Sequence, residues 1–129
     1  MIKVLIIEDN PANMTLGVFL LQSAGYAVLT ATDAEAGLTL ARVEQPDLIL
    51  MDIHLPGMDG LEATVLLKGD DATRGIPVIA LTALAMKGDE ERIRAAGCDG
   101  YIAKPMHYQE FLATVAAQLA ASARHPSSS

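Results

Sequence analysis

The feature that most constrains the fold of this chain is the regular alternation of short apolar runs with longer segments of helical periodicity. Five runs have the length of a strand, namely residues 3–7, 27–31, 48–51, 78–81 and 100–103. The first, third and fourth are almost continuously apolar, which is typical of parallel strands covered on both faces. Because a segment of helical period follows each run, we predict an α/β domain with a doubly wound, five-stranded parallel sheet and five helices.

Residues that favour helix ends lie between the first strands and helices. Asn10 can cap a helix that has Pro11 at its first position, and Gly25 can end that helix in the left-handed conformation. Asp33 can cap a second helix. The apolar residues predicted to share one face of this second helix are Ala36, Leu40 and Val43.

Asp59 and Glu62 have the spacing of a capping box, which predicts the start of a third helix. The residues expected to point inward from this helix are Leu61, Val65 and Leu66.

The last two predicted helices differ in polarity. The fourth, over residues 85–96, is mostly polar with Ile93 as its main large apolar residue, so we expect it to be the least firmly packed. The fifth, from about residue 107 to 121, has apolar residues every four positions. Residues 122–129 contain one proline and four serines. We therefore expect one folded domain over residues 1–121 and a disordered tail over residues 122–129.

Length, charge and hydropathy exclude several classes of protein. With 129 residues the chain has room for one compact domain. Its net charge of −7 and its scattered basic residues argue against binding to nucleic acid. No apolar run approaches the roughly 18 residues of a membrane span, and the start lacks the features of a secretory signal. We expect a cytoplasmic protein without membrane contact, in which the single cysteine, Cys98, is a buried filler.

Charged and hydroxyl-bearing residues stand at the predicted carboxyl ends of four strands. Glu8 and Asp9 follow the first strand, Asp52 the third, Thr82 the fourth and Lys104 the fifth. Ligands of open parallel sheets bind at this edge. Each residue alone could also belong to a turn, a helix cap or a solvated surface. Their combination at four independent strand ends predicts one site.

The chemistry of these residues points to a metal ion and a phosphoryl group. Two carboxylates about 4 to 5 Å apart repel each other by roughly 3 to 4 kcal/mol at an effective dielectric constant near 20, so a cluster of acids needs a compensating cation. Mg²⁺ suits carboxylate ligands and phosphate oxygens. Asp52 stands alone on the central strand, so it is the best acceptor for an aspartyl-phosphate. Lys104 and Thr82 can each contact one phosphoryl oxygen.

Several segments together resemble the response-regulator receiver family, whose CheY-like members have the flavodoxin-like strand order 2-1-3-4-5. The matching segments are residues 4–10, 46–52, 55–60, 77–83 and 97–105, so the resemblance covers nearly the whole chain. Residues 83–94 further resemble stand-alone cell-cycle receivers, and receivers at the end of hybrid histidine kinases carry similar residues.

The resemblance implies a role for each residue of the site. Asp52 would be the phosphoacceptor, and Mg²⁺ would be held by Glu8, Asp9, Asp52 and the backbone carbonyl of His54. Thr82 and Lys104 would contact the phosphoryl group.

The resemblance also implies a cis peptide bond before Pro105 and a coupling of Thr82 to the aromatic residue Tyr101. Phosphorylation would then alter the face formed by the fourth helix, the fifth strand and the fifth helix. The side chains of His54 and Leu84 are expected to tune the lifetime of the phosphate.

The family implies a signalling switch that catalyses only its own phosphorylation and dephosphorylation, and is not otherwise an enzyme. Its partners would be a sensor histidine kinase, a histidine phosphotransfer protein, or both, and a downstream protein target. It would be a monomer or a weak, phosphorylation-linked dimer. The chain could also be a receiver excised from a hybrid histidine kinase or a multidomain regulator.

Two other classes fit the residues less well. A Mg²⁺-dependent phosphatase of the haloacid-dehalogenase type usually needs a second aspartate two residues after the nucleophile, where this chain has His54, and a substrate cap. A flavodoxin-like flavin carrier needs a phosphate-binding loop after the first strand, where Glu8 and Asp9 would repel the phosphate.

Overall fold

The computed structural model describes residues 1–83 and 87–123. The strands within them are β1 (Lys3–Ile7), β2 (Ala27–Ala31), β3 (Leu48–Asp52), β4 (Val78–Thr82) and β5 (Gly100–Ala103). The helices are α1 (Pro11–Ser23), α2 (Ala34–Glu44), α3 (Gly60–Gly69), α4 (Lys87–Ala95) and α5 (Tyr108–Ala123). All strands are parallel, and their order is β2-β1-β3-β4-β5. The predicted fold class and strand order are confirmed.

The predicted ends of most elements lie within two residues of those observed. β3 and β4 each extend one residue further than predicted, so Asp52 and Thr82 are the last residues of their strands. α5 reaches Ala123, so the first two residues of the predicted tail are helical. Leu84 and residues 124–129 lie outside the described residues. The division of the chain into a domain and a tail stays a prediction.

The predicted capping residues begin the first three helices. Asn10 accepts a hydrogen bond from the backbone N–H of Asn13 at 3.0 Å. The Asp33 and Asp59 side chains accept equivalent hydrogen bonds at 2.8 Å. Gly25 follows α1 with a φ of 90°, which favours glycine. Every helix in residues 1–83 and 87–123 is too short or too polar to cross a bilayer.

The sheet separates two apolar layers because alternate residues of each strand point to opposite faces. On one face, Val4 and Ile6 lie in a cluster with residues of α1 and α5, including Leu21, Phe111 and Val115. On the other face, Leu5 and Ile7 lie in a cluster with residues of α2, α3 and α4, including Leu38, Leu67 and Ile93. The predicted anchor of the fourth helix, Ile93, is therefore buried.

The inward faces predicted for α2 and α3 are wrong. Val43, Val65 and Leu66 are 70%, 55% and 47% exposed, and Ala36 is also exposed, although Leu40 and Leu61 are partly buried. The buried residues are instead mostly small, namely Ala34, Gly37, Leu38 and Ala41 in α2 and Gly60, Ala63, Thr64 and Leu67 in α3. These helices lie close to the sheet, so the size of a side chain, more than its hydrophobicity, decides whether it faces the sheet.

Candidate functional site

The carboxyl ends of four neighbouring strands meet at one edge of the sheet and carry the predicted site residues. Glu8 and Asp9 follow β1, Asp52 and Thr82 end β3 and β4, and Lys104 follows β5. β3 lies between β1 and β4, and β5 pairs with β4. Because all these strands are parallel, the five residues share one edge.

Three acidic residues form the centre of this site. One carboxylate oxygen from each of Glu8, Asp9 and Asp52 lies within 4.8 Å of the other two. Glu8 and Asp52 are buried, whereas Asp9 is exposed. Oxygen ligands of this charge suit a hard divalent cation such as Mg²⁺, and the exposed Asp9 leaves it a path from solvent. The residues present therefore fit a magnesium ion.

The ammonium group of Lys104 lies beside both buried carboxylates. Its nitrogen is 2.7 Å from Glu8 Oε1 and 3.3 Å from Asp52 Oδ2. The contact with Glu8 Oε1 is an ion pair, and no described residue donates a hydrogen bond to this oxygen. The backbone N–H of Lys104 donates to the Thr82 carbonyl at 2.7 Å, and the peptide bond from Lys104 to Pro105 is cis. The Lys104 ammonium thus lies beside two of the three clustered acids, and its single positive charge leaves these residues with an excess of negative charge.

Both oxygens of the Asp52 carboxylate have a fixed neighbour. Oδ1 accepts a hydrogen bond of 2.9 Å from the backbone N–H of His54, and Oδ2 faces Lys104. The His54 side chain is exposed, whereas Thr82 is fully buried. A backbone N–H group and a charged side chain therefore orient Asp52. Because the carboxylate is buried, both interactions are stronger than they would be in water.

The pKa values of the two buried acids shift in opposite directions. Burial and then the neighbouring Asp52 carboxylate raise the pKa of Glu8 above its ordinary value. Burial also acts to raise the pKa of Asp52, but the adjacent Glu8 carboxyl group, the hydrogen bond from the His54 N–H and the charge of Lys104 lower it overall. As the pH falls, Glu8 therefore takes up a proton before Asp52 does, which relieves the repulsion between the two acids. The lowered pKa favours the ionised form of Asp52, and an ionised carboxylate has the electron pair that a nucleophile requires.

Gly60 supports the site in a way that sequence reasoning did not explain. A Cβ atom at this position would lie 2.2 Å from the backbone oxygen of Asp52 and 2.8 Å from the Cα of Ile53. The glycine therefore lets α3 begin directly against the strand end that carries Asp52. The available signal was a glycine immediately after the helix cap Asp59.

Tyr101 connects β5 to α4. On β5 it pairs in register with Ala80, and Thr82 points to the same face of the sheet as Ala80 because side chains alternate along a strand. The Tyr101 hydroxyl donates a hydrogen bond to the carboxylate of Glu90 on α4. This hydrogen bond, and to a lesser extent burial, raises the pKa of Tyr101. Sequence reasoning missed Glu90, because the contact depends on how α4 packs against β5.

The sequence matches the response regulator receiver domain over residues 4–116. The chain belongs to this family. The polar-differentiation response regulator DivK of Brucella anthropi is 52% identical over 117 residues, which cover 91% of this chain and 95% of that protein. DivK of Brucella ovis is 51% identical with the same coverage. The predicted resemblance to a receiver of this kind is confirmed.

Solved structures of other receivers have the same fold. A CheY-like receiver domain protein from Methanospirillum hungatei superposes with a TM-score of 0.90 at 28% identity, over 98% of this chain and 99% of that one. The receiver domain of a Pseudomonas aeruginosa sensor histidine kinase gives a TM-score of 0.85 at 36% identity, over 92% and 97%. The latter structure has a magnesium ion coordinated in its active-site cleft. This protein is thus a receiver of two-component signalling, and its relatives favour neither the phosphatase nor the flavin carrier.

Proposed function

We propose that this receiver accepts a phosphoryl group on Asp52 in a Mg²⁺-dependent reaction and thereby changes its binding to other proteins through the face formed by α4, β5 and α5. The observation that carries the proposal is that Asp52 is buried within a cluster of three acids and lies beside the Lys104 ammonium group.

Glu8, Asp9, Asp52 and the backbone carbonyl of His54 are the proposed ligands of Mg²⁺. When bound, the ion would neutralise negative charge on the carboxylates and on the transferred group. The fit of three carboxylate oxygens within 4.8 Å of one another supports this role.

Asp52 acts as the nucleophile in the proposed reaction. Its carboxylate oxygen forms a bond to phosphorus while the bond from phosphorus to the donor's histidine nitrogen breaks, and the released imidazole then takes up a proton. Lys104 pairs with one phosphoryl oxygen, and the Thr82 hydroxyl donates to another. The lowered pKa of Asp52 keeps this carboxylate ionised at neutral pH.

The proposed partners follow from this chemistry. A sensor histidine kinase or a histidine phosphotransfer protein supplies the phosphoryl group, and a downstream target binds the altered face. We place the protein in the cytoplasm as a monomer or a weak, phosphorylation-linked dimer, and not as an enzyme acting on a separate substrate. His54 has an exposed side chain next to the acceptor, which suits a role in the lifetime of the phosphate.

Labelling with acetyl phosphate in the presence of Mg²⁺ tests the proposal. We expect one hydroxylamine-sensitive phosphoryl group per chain, lost in Asp52→Asn and on removal of Mg²⁺. Asp71→Asn is the matched control, because Asp71 has an 88% exposed side chain away from the site. Undiminished labelling of Asp52→Asn would rule out Asp52 as the acceptor.

A further inference from the structure

α4 has little apolar attachment to the described part of the domain. Its sequence is KGDEERIRA, and among its described side chains Ile93 alone is buried, at 1% exposed. A helix held by a single apolar anchor can shift about that anchor unless a second contact fixes it. The second contact is therefore a determinant of where α4 lies.

The hydrogen bond from Tyr101 to Glu90 supplies this second contact. Glu90 precedes Ile93 by three residues, so both side chains lie on the same side of α4. The ring of Tyr101 packs against the apolar cluster that contains Ile93. One side of the helix is thus held at two adjacent points, one apolar and one polar.

The other acidic residues of α4 do not share this role. Asp89 lies 3.3 Å from Arg92 of the same helix in an ion pair, and Glu91 is exposed. Glu90 is the acidic residue of α4 that contacts β5. Glu90 therefore links α4 to β5, and β5 pairs with β4, the strand that ends in Thr82.

We propose that Glu90 is a latch residue, whose hydrogen bond with Tyr101 holds α4 in its resting position until phosphorylation of Asp52 breaks it. For its trigger this inference rests on the proposed function. The latch itself is a property of the unphosphorylated protein, so the latch and its release by phosphorylation can be tested separately.

Hydrogen exchange of the α4 amides in the full chain, followed by NMR with Mg²⁺ and with or without beryllium trifluoride as a phosphoryl analogue, tests the latch. Without the analogue, Glu90→Ala and Tyr101→Phe should raise exchange of the α4 amides by about fivefold, as expected for the loss of about 1 kcal/mol. Glu90→Gln keeps an acceptor oxygen, so its exchange should remain nearer that of the wild type. Glu91→Ala is the matched control and should exchange like the wild type.

The analogue should raise α4 exchange in the wild type to the level of Glu90→Ala and add little in that variant. Wild-type exchange rates in Glu90→Ala without the analogue would overturn the latch, as would unchanged α4 exchange in wild type that has bound the analogue. If fluorine NMR shows no analogue bound to the wild type, the proposed function fails and the trigger fails with it. That result is distinct from a failure of the latch, which the unliganded variants report.

Discussion

α3 and α4 cover the same face of the sheet but are held there in different ways. α3 begins so close to β3 that only a glycine, Gly60, fits against the backbone of Asp52. α4 is mostly polar and is held through Ile93 and the hydrogen bond between Glu90 and Tyr101. The difference indicates separate roles for the two helices, because tight packing fixes the position of Asp52 whereas a weakly attached helix can change position at low cost.

The largest effect is expected from Gly60→Ala, which tests the close packing of α3 against β3. Its Cβ would overlap the Asp52 carbonyl, so we expect a loss of about 3 kcal/mol in the free energy of unfolding and slower labelling by acetyl phosphate. Urea unfolding and the initial labelling rate measure the two effects.

Gly69→Ala, in the same helix, is the control for that experiment. No neighbouring atom lies within 4 Å of the position that a Cβ would take there, so its stability should change by no more than about 1 kcal/mol, and its labelling should not change. Equal behaviour of the two alanine variants would remove the argument for close packing at Gly60.

Asp9→Asn is expected to have the next largest effect, and it acts on the site alone. Removing one carboxylate should weaken Mg²⁺ binding by roughly tenfold, which corresponds to about 1.4 kcal/mol, without unfolding the domain, since Asp9 is exposed. Calorimetric titration with Mg²⁺ measures this change, and an unaltered affinity would exclude Asp9 as a ligand.

The raised pKa of Glu8 predicts that Mg²⁺ affinity depends on pH. The proton on Glu8 must leave before the carboxylate can bind a cation, so affinity should rise as the pH rises through this pKa and then level off. Mg²⁺ titrations at a series of pH values above the ordinary pKa of glutamate measure the trend. Glu8→Gln should bind more weakly and show a flatter dependence, and an equally steep one in this variant would assign the proton to another group.

The smallest effect on labelling by acetyl phosphate is expected from Glu90→Ala in α4. Glu90→Ala should label at the wild-type rate, within about twofold, and lose about 1 kcal/mol or less of stability, because the hydrogen bond is only half-buried. A strong loss of labelling in this variant would mean that α4 also positions Asp52, and the contrast with α3 would disappear.

The sequence predicted the sheet and the edge of the site because both depend on local patterns. Apolar runs mark buried parallel strands, and the residue that follows such a run stands at its carboxyl end, as for Glu8 and Lys104. Hydrophobicity failed for Val65 and Leu66, because α3 packs through small residues whose importance depends on the distance to the sheet. No sequence pattern predicts the contact of Glu90, since its partner Tyr101 lies on another element.

Mapping the phosphorylated residue tests the central claim most directly. Borohydride reduces an aspartyl-phosphate to homoserine, so the protein can be treated with acetyl phosphate and Mg²⁺, reduced, digested and sequenced by mass spectrometry. We predict conversion of Asp52 and of neither Glu8 nor Asp9, because Asp52 is the acid held ionised beside Lys104. Modification at Glu8 or Asp9, with Asp52 intact, would contradict the account.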